Sequence, residues 1–226
     1  MDHFDKNYEL EHQIQGTNKE PLLDDIRTLI DSAQFTFIRQ REMKGLGHAI
    51  LTGKELVGDN PFAVVLADDL CINDDKGVLA QMAALYRQFR CSIVAVEEVP
   101  ESETHKYGVI AGEHLSDDLI RITDMVEKPE QGTAPSNLAI IGRYILTPDI
   151  FDILEETQPG KGGEIQITDA LLEQAKNGCV IAYKFKGKRF DCGSVDGYIE
   201  ATNFCYQNVY LKGNKAEMDK TVTEKV

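Results

Sequence analysis

Apolar residues recur along this chain first at helical spacing and then in short unbroken runs, so helices and strands are expected to alternate. From Pro21 to Ala33 the residues Leu22, Leu23, Ile26, Leu29, Ile30 and Ala33 fall on one helical face, whereas the first twenty residues are polar. Phe35 to Arg39 reads as a short strand, and Leu46 to Val57 as a helix opened by the turn Lys44-Gly45-Leu46-Gly47. Pro61 to Leu66 is almost continuously apolar and stops at Ala67-Asp68-Asp69, the pattern of a strand buried on both faces of a sheet. A helix over 76–90 follows, with Val78, Met82, Leu85, Tyr86 and Phe89 at helical spacing, and then an apolar strand from Cys91 to Val96.

The middle of the chain changes character. Strand-like pieces at Gly108 to Ala111, Leu119 to Val126 and Leu138 to Leu146 alternate with turn-rich stretches, as in an antiparallel elaboration. Helices return at Pro148 to Glu156 and Gln166 to Asn177. Strand Val180 to Phe185, the turn Lys186-Gly187-Lys188, a last helix from Val195 to Tyr206 and a charged tail complete the pattern. It implies an α/β fold, a sheet covered by helices with its crevice outside the carboxyl ends of the strands. One domain is expected over residues 1–210, with a charged tail over 211–226.

Composition narrows the function. Acidic residues outnumber Lys and Arg by 38 to 24, and the net charge of -14 opposes nucleic acid and anionic membranes as partners. A phosphate ligand therefore needs placed lysines, a divalent cation or backbone N–H groups. No run approaches the roughly 20 apolar residues of a membrane span, and no basic, apolar leader opens the chain, so a cytoplasmic protein is expected. The five cysteines are scattered without a C-x-x-C pair, and the five histidines form no zinc-hydrolase pattern.

Candidate chemistry collects at the ends of strands. Asp68 and Asp69 follow the apolar strand, where carboxylates can hold Mg2+ against a substrate phosphate; a plain turn or helix cap is the alternative. Asp191-Cys192-Gly193 offers a second carboxylate and a glycine that lets backbone approach a ligand, or else an ordinary loop. Glu127-Lys128-Pro129 sets an acceptor for sugar hydroxyls beside a cation for a sugar phosphate, with Pro129 pushing Lys128 towards extended backbone; a solvated ion pair is the alternative. Gln40 carries both donor and acceptor, as reading a base edge requires. Gly45 and Gly108 leave room for a flat ring or sugar, though plain turn chemistry also explains them.

Taken in order, Arg39-Gln40 with Lys44-Gly45-Leu46-Gly47-His48-Ala49, Leu66-Ala67-Asp68, Tyr107-Gly108-Val109, Val126-Glu127-Lys128-Pro129, Ala134-Pro135-Ser136-Asn137-Leu138-Ala139, Gly163 to Asp169 and Asp191-Cys192-Gly193 resemble the bacterial UTP:glucose-1-phosphate uridylyltransferases. The similarity runs from about Phe4 to about Tyr210. It implies a Rossmann-like nucleotidyltransferase fold, a mixed and mostly parallel sheet flanked by helices with a small antiparallel elaboration. It further implies Gln40 and Gly45 facing uracil, Asp68 and Asp191 holding Mg2+, Gly108, Glu127 and Asn137 contacting glucose, and Lys128 its phosphate. Lys128, Asp68 and Asp191 are then the catalytic set, UTP and glucose 1-phosphate the substrates, and a homo-oligomer the assembly. Transfer of another nucleotide (thymidylyl, adenylyl or guanylyl) and a non-catalytic sugar-phosphate-binding or structural remnant are the competing readings. Ala67 stands where the family usually has Pro. The family also opens with strand-loop-helix units bearing a G-x-G-T-R loop that wraps the triphosphate. This chain begins after them, so the polypeptide alone is expected to be inactive or nearly so.

Overall fold

The computed structural model describes residues 6–211, so the tail expected from 211 onward lies, from 212, outside the described residues. Where one domain over 1–210 is expected, the chain divides into two compact units between Arg39 and Gln40. The first holds two helices, α1 (Tyr8–Ile14) and α2 (Pro21–Ser32). Helix α1 escapes the apolar pattern because it is only seven residues long and its apolar side chains are just Tyr8, Leu10 and Ile14; Asn7 caps it, its Oδ1 accepting from the Leu10 N–H at 3.0 Å. Pro21 occupies the first turn of α2, where its missing N–H has no intrahelical partner to lose. Arg27 of α2 pairs with Glu11 of α1 at 3.2 Å. Of the apolar face expected on α2, Leu23 and Ile30 are half-buried, while the side chains of Leu22, Ile26 and Leu29 lie outside the described residues. No strand forms over Phe35 to Arg39: no described strand pairs with it, and Phe37 is 54% exposed. Periodicity marks a segment fit for a sheet, but only a partner makes it a strand.

In the second unit the expected helix over Leu46 to Val57 is two short ones, α3 (Gly45–Leu51) and α4 (Lys54–Val57), parted at Thr52-Gly53, where Thr52 Oγ1 donates back to the Ala49 carbonyl at 2.6 Å. Two sheets follow. Strands β1 (Phe62–Val65), β3 (Ser92–Glu98), β4 (Gly108–His114), β5 (Leu119–Glu127), β6 (Leu138–Leu146) and β7 (Val180–Lys184) form the larger, in the order β1-β6-β3-β7-β5-β4, with β4 also touching β6. The sheet is mixed. β3 and β7 run parallel, and the other pairings are antiparallel. Strand β1 departs from its expectation of burial on both faces: it lies at the sheet edge, antiparallel to β6, with Phe62 and Val64 half-buried and Val65 52% exposed.

Alternation along the central strands divides the core in two. On β3, Val94 and Val96 face one way and Ile93 and Ala95 the other; on β6, Ile140, Tyr144 and Leu146 oppose Ile141 and Ile145. The first face is covered by α6 (Ile150–Glu156) and α7 (Ile167–Asn177), through Ile150, Phe151, Leu154, Ile167 and Leu171. Phe151 also stacks on Phe62 of the edge strand, ring centroids 4.9 Å apart. The second face is covered by α5 (Val78–Phe89), through Val78 and Met82. Each such large apolar side chain contributes about 1.5–3 kcal/mol on burial. The smaller sheet, which periodicity does not announce, pairs β2 (Asp69–Ile72) with β8 (Lys188–Asp191), and helix α8 (Val195–Cys205) follows. No helix among the described residues is long and apolar enough to cross a membrane.

Candidate active site

The two sheets meet around a cavity of about 310 Å³ whose lining includes Asp68, Asp69, Gly108, Glu127, Lys128 and Asp191. Asp68 and Asp191 converge because β2 and β8 are antiparallel in a register that sets Asp69 opposite Asp191. Asp68 ends the turn before β2, and its carbonyl accepts from the Cys192 N–H at 2.7 Å. Gly193 sits between the two carboxylates: a Cβ there would lie 3.1 Å from Asp191 Oδ1 and 3.5 Å from Asp68 Oδ2. Its N–H donates to Asp191 Oδ1 at 3.1 Å. Among the described residues no group of three or more His, Cys, Asp or Glu is arranged to hold a metal. Two carboxylates at a cavity mouth nonetheless fit a hard divalent cation that keeps waters and takes its other ligands from substrate phosphate.

Across the cavity lie the residues expected to meet a sugar phosphate. Gly108 opens β4 opposite Glu127, the last residue of β5. A side chain at Gly108 would strike Thr168 Cγ2 at 2.6 Å and approach Glu127 Oε2 to 3.1 Å, so its absence makes room here. Glu127 is held by Thr168, whose hydroxyl donates to Oε2 at 3.1 Å. Lys128 corrects the extended backbone expected of a residue before proline. Its φ is +45°, and its N–H donates to the Tyr107 carbonyl at 3.0 Å. That hydrogen bond carries the β4–β5 pairing one residue past its end while the chain turns left-handed, a strained conformation for a residue with a side chain. Lys128 Nζ lies 3.7 Å from Glu127 Oε1.

Gln40 lies on the loop before α3, and Gly45 is the first residue of that helix. Gln40 Nε2 donates to the Gly45 carbonyl at 3.2 Å and lies 2.9 Å from His48 Nδ1. Gly45, at φ +87°, packs against Glu164, which itself lines the cavity. Backbone bonds at 2.8 and 2.9 Å tie Ile165 to Lys44 and Gly47. Asn137 stands apart from these groups: it is exposed, outside the cavity lining, and its carbonyl accepts from the Val99 N–H at 3.0 Å.

Several residues that the sequence reading passes over complete the site. Arg189 of β8 forms an ion pair with Asp69 and donates to Glu97 Oε1 at 2.9 Å. Burial alone lowers the pKa of its guanidinium, but hydrogen bonding with Tyr107, the charge of Asp69 and hydrogen bonds with Asp69 and Glu97 outweigh that, and the net shift is upward. Tyr144, buried on β6 and lining the same cavity, has its phenol pushed up by burial and then by the charges of Glu127, Asp69 and Asp68, so it stays a neutral hydroxyl. The available signal was the alternation Arg189-x-Asp191, which sets both side chains on one face of a strand once that strand is known.

The pattern of the family described as nucleotidyl transferase matches residues 6–208. The chain is 70% identical over 213 residues to the UTP–glucose-1-phosphate uridylyltransferase of Pseudomonas aeruginosa PAO1, covering 94% of this chain and 76% of that one. It is 44% identical over 212 residues to the enzyme of that name from Bacillus subtilis 168, covering 93% and 72%. Among solved structures it matches a UDP-glucose pyrophosphorylase complexed with UDP-glucose at a TM-score of 0.84 and 60% identity, over 91% of this chain and 75% of the other. A UTP-bound enzyme from Acinetobacter baumannii matches at 0.82 and 34% identity, over 96% and 76%.

Proposed function

Because this chain belongs to the nucleotidyl transferase family, we propose that its cavity transfers a uridylyl group from UTP to glucose 1-phosphate, forming UDP-glucose and releasing pyrophosphate. The observation that carries the reading is the convergence of Asp68 and Asp191 with Gly108, Glu127 and Lys128 around one cavity. In this reaction an oxygen of the sugar phosphate attacks the α-phosphorus of UTP, and the bond to the bridging oxygen breaks as pyrophosphate leaves. The nucleophile is already an anion, so the protein's work is alignment and charge neutralisation, without a covalent intermediate.

Lys128 lies where an ammonium can meet the sugar phosphate, and Glu127, oriented by Thr168, accepts from glucose hydroxyls beside the open face of Gly108. Gln40 and Gly45 face uracil; Asn137, exposed and outside the cavity lining, is left out of the glucose site. Asp68 and Asp191 hold Mg2+, which when bound neutralises phosphate charge as a Lewis acid. The exposed Tyr198 and Ile199 of α8 suit association with a second copy of the chain, whereas Phe204 is packed on Phe190 with centroids 5.1 Å apart. A cytoplasmic site of action, where UTP is made and used, goes with this chemistry.

Calorimetric titration with UDP-glucose, dTDP-glucose and ADP-glucose, beside pyrophosphate release from UTP and glucose 1-phosphate in Mg2+, tests the reading. Uridine-selective binding is expected, with pyrophosphate release by this polypeptide alone slow or nearly absent. Preference for another nucleotide sugar overturns the assignment of the base, and binding of none overturns the function.

A further inference from the structure

Arg189 is the buried cation of the acidic side of the cavity, its side chain only 7% exposed. It reaches three separate segments. Nε pairs with Asp69 on β2; Nη1 donates to Glu97 on β3 at 2.9 Å and to the Tyr107 hydroxyl, just before β4, at 3.4 Å. Nη2 lies 3.6 Å from Asp191 Oδ2, which also accepts from the Tyr107 hydroxyl at 3.4 Å. Asp69 in turn accepts from the Gly142 N–H of β6 at 2.6 Å. The two-stranded ribbon that carries Asp191 is thus fastened to three strands or strand ends of the larger sheet through one guanidinium and its partners.

We propose that Arg189 is a positioning residue that holds Asp191, and with it the cation-binding carboxylate pair, in place relative to the sugar-phosphate residues of the larger sheet. This rests on the reading of Asp68 and Asp191 given above. A two-stranded ribbon has little stability of its own, so a carboxylate at its end needs an external anchor. Guanidinium suits the task because its planar fork grips several acceptors at once, which a lysine ammonium on a flexible stem does not reproduce. Outer partners of this kind, which orient a metal-holding carboxylate without touching the metal, typically change metal affinity by about 10- to 100-fold when removed.

The experiment is Mn2+ titration of the whole chain in saturating UDP-glucose, followed by electron paramagnetic resonance, with metal-free glucose 1-phosphate binding measured by calorimetry. Arg189→Met is expected to weaken Mn2+ binding about 10- to 100-fold and to leave glucose 1-phosphate affinity within about twofold. Arg189→Lys recovers only part of the loss. Tyr107→Phe, which removes one weak hydrogen bond to Asp191, costs about two- to tenfold. A cooperatively folded Arg189→Met chain with Mn2+ affinity unchanged, or one that loses glucose 1-phosphate to the same degree, overturns the proposal. If Arg189→Met does not fold, Tyr107→Phe decides: weakened Mn2+ binding supports the positioning role and unchanged binding overturns it. If the unsubstituted chain shows no Mn2+ binding that Asp191→Asn abolishes, the cation reading itself fails, and the positioning role falls with it.

Discussion

The six-stranded and two-stranded sheets stand at opposite ends of what holds a sheet together. In the larger, β6 is buried at eight of nine positions, and its alternating side chains pack helices on both faces. In the smaller, β2 and β8 have four residues each, mostly half-buried, and their strongest ties are ionic: Asp69 with Arg189, and Arg189 with Glu97 at 2.9 Å. Apolar burial is non-directional and tolerant of small shifts, whereas a register that sets Asp69 opposite Asp191 is not. The scaffold therefore lies in the larger sheet, and one wall of the cavity lies in the smaller.

This division can be broken from either side. Phe151→Ala, in the packed helix over the larger sheet, is expected to cost about 3–5 kcal/mol of stability by urea unfolding, with UDP-glucose affinity of the folded chain unchanged. A large loss of affinity would show that core and cavity are not separable. Asp191→Asn reverses the pattern, abolishing Mn2+ binding to the UDP-glucose complex at nearly constant stability; Asp68→Asn acts alike. Gly108→Ala sits on the border. Its Cβ would meet Thr168 Cγ2 at 2.6 Å and Glu127 Oε2 at 3.1 Å. Overpacking there costs about 1–3 kcal/mol, and displacement of Glu127 weakens glucose 1-phosphate binding about tenfold, both readable by calorimetry.

The smallest effect sharpens the larger-sheet side alone. Burial, and then the hydrogen bond with Cys179, push the Cys91 thiol from 9.0 up to about 12. The folded chain thus holds this proton more tightly than the unfolded one. The sign follows: the contribution is fully present below pH 9 and is lost as pH rises from 9 towards 12. Thermal unfolding midpoints should fall over that range, and Cys91→Ala should flatten the fall without touching UDP-glucose binding.

Legibility in the sequence follows the same division. The helices over Val78 to Phe89 and Ile167 to Asn177 and the strands β3 to β7 stand near their expected bounds, because apolar periodicity there coincides with burial. Asp68, Gly108, Glu127, Lys128 and Asp191 could be picked out as chemistry at strand ends, and the ordered motifs pointed to the family the chain belongs to. The left-handed backbone of Lys128 could not be read, because a hydrogen bond to Tyr107, twenty-one positions away, decides it. Nor could the ribbon β2–β8, whose four-residue strands are too short to show a period until they pair.

The sequence by itself determined the alternation of elements and the stock of carboxylates, lysines and glycines, since these depend on local periodicity and residue chemistry. Only the tertiary structure decided that Asp68 meets Asp191, that Arg189 ties Asp69 to Glu97, and that Phe35 to Arg39 forms no strand. Those outcomes depend on which distant backbone groups and charges become partners, and partnership across a hundred residues leaves no periodic trace in the chain.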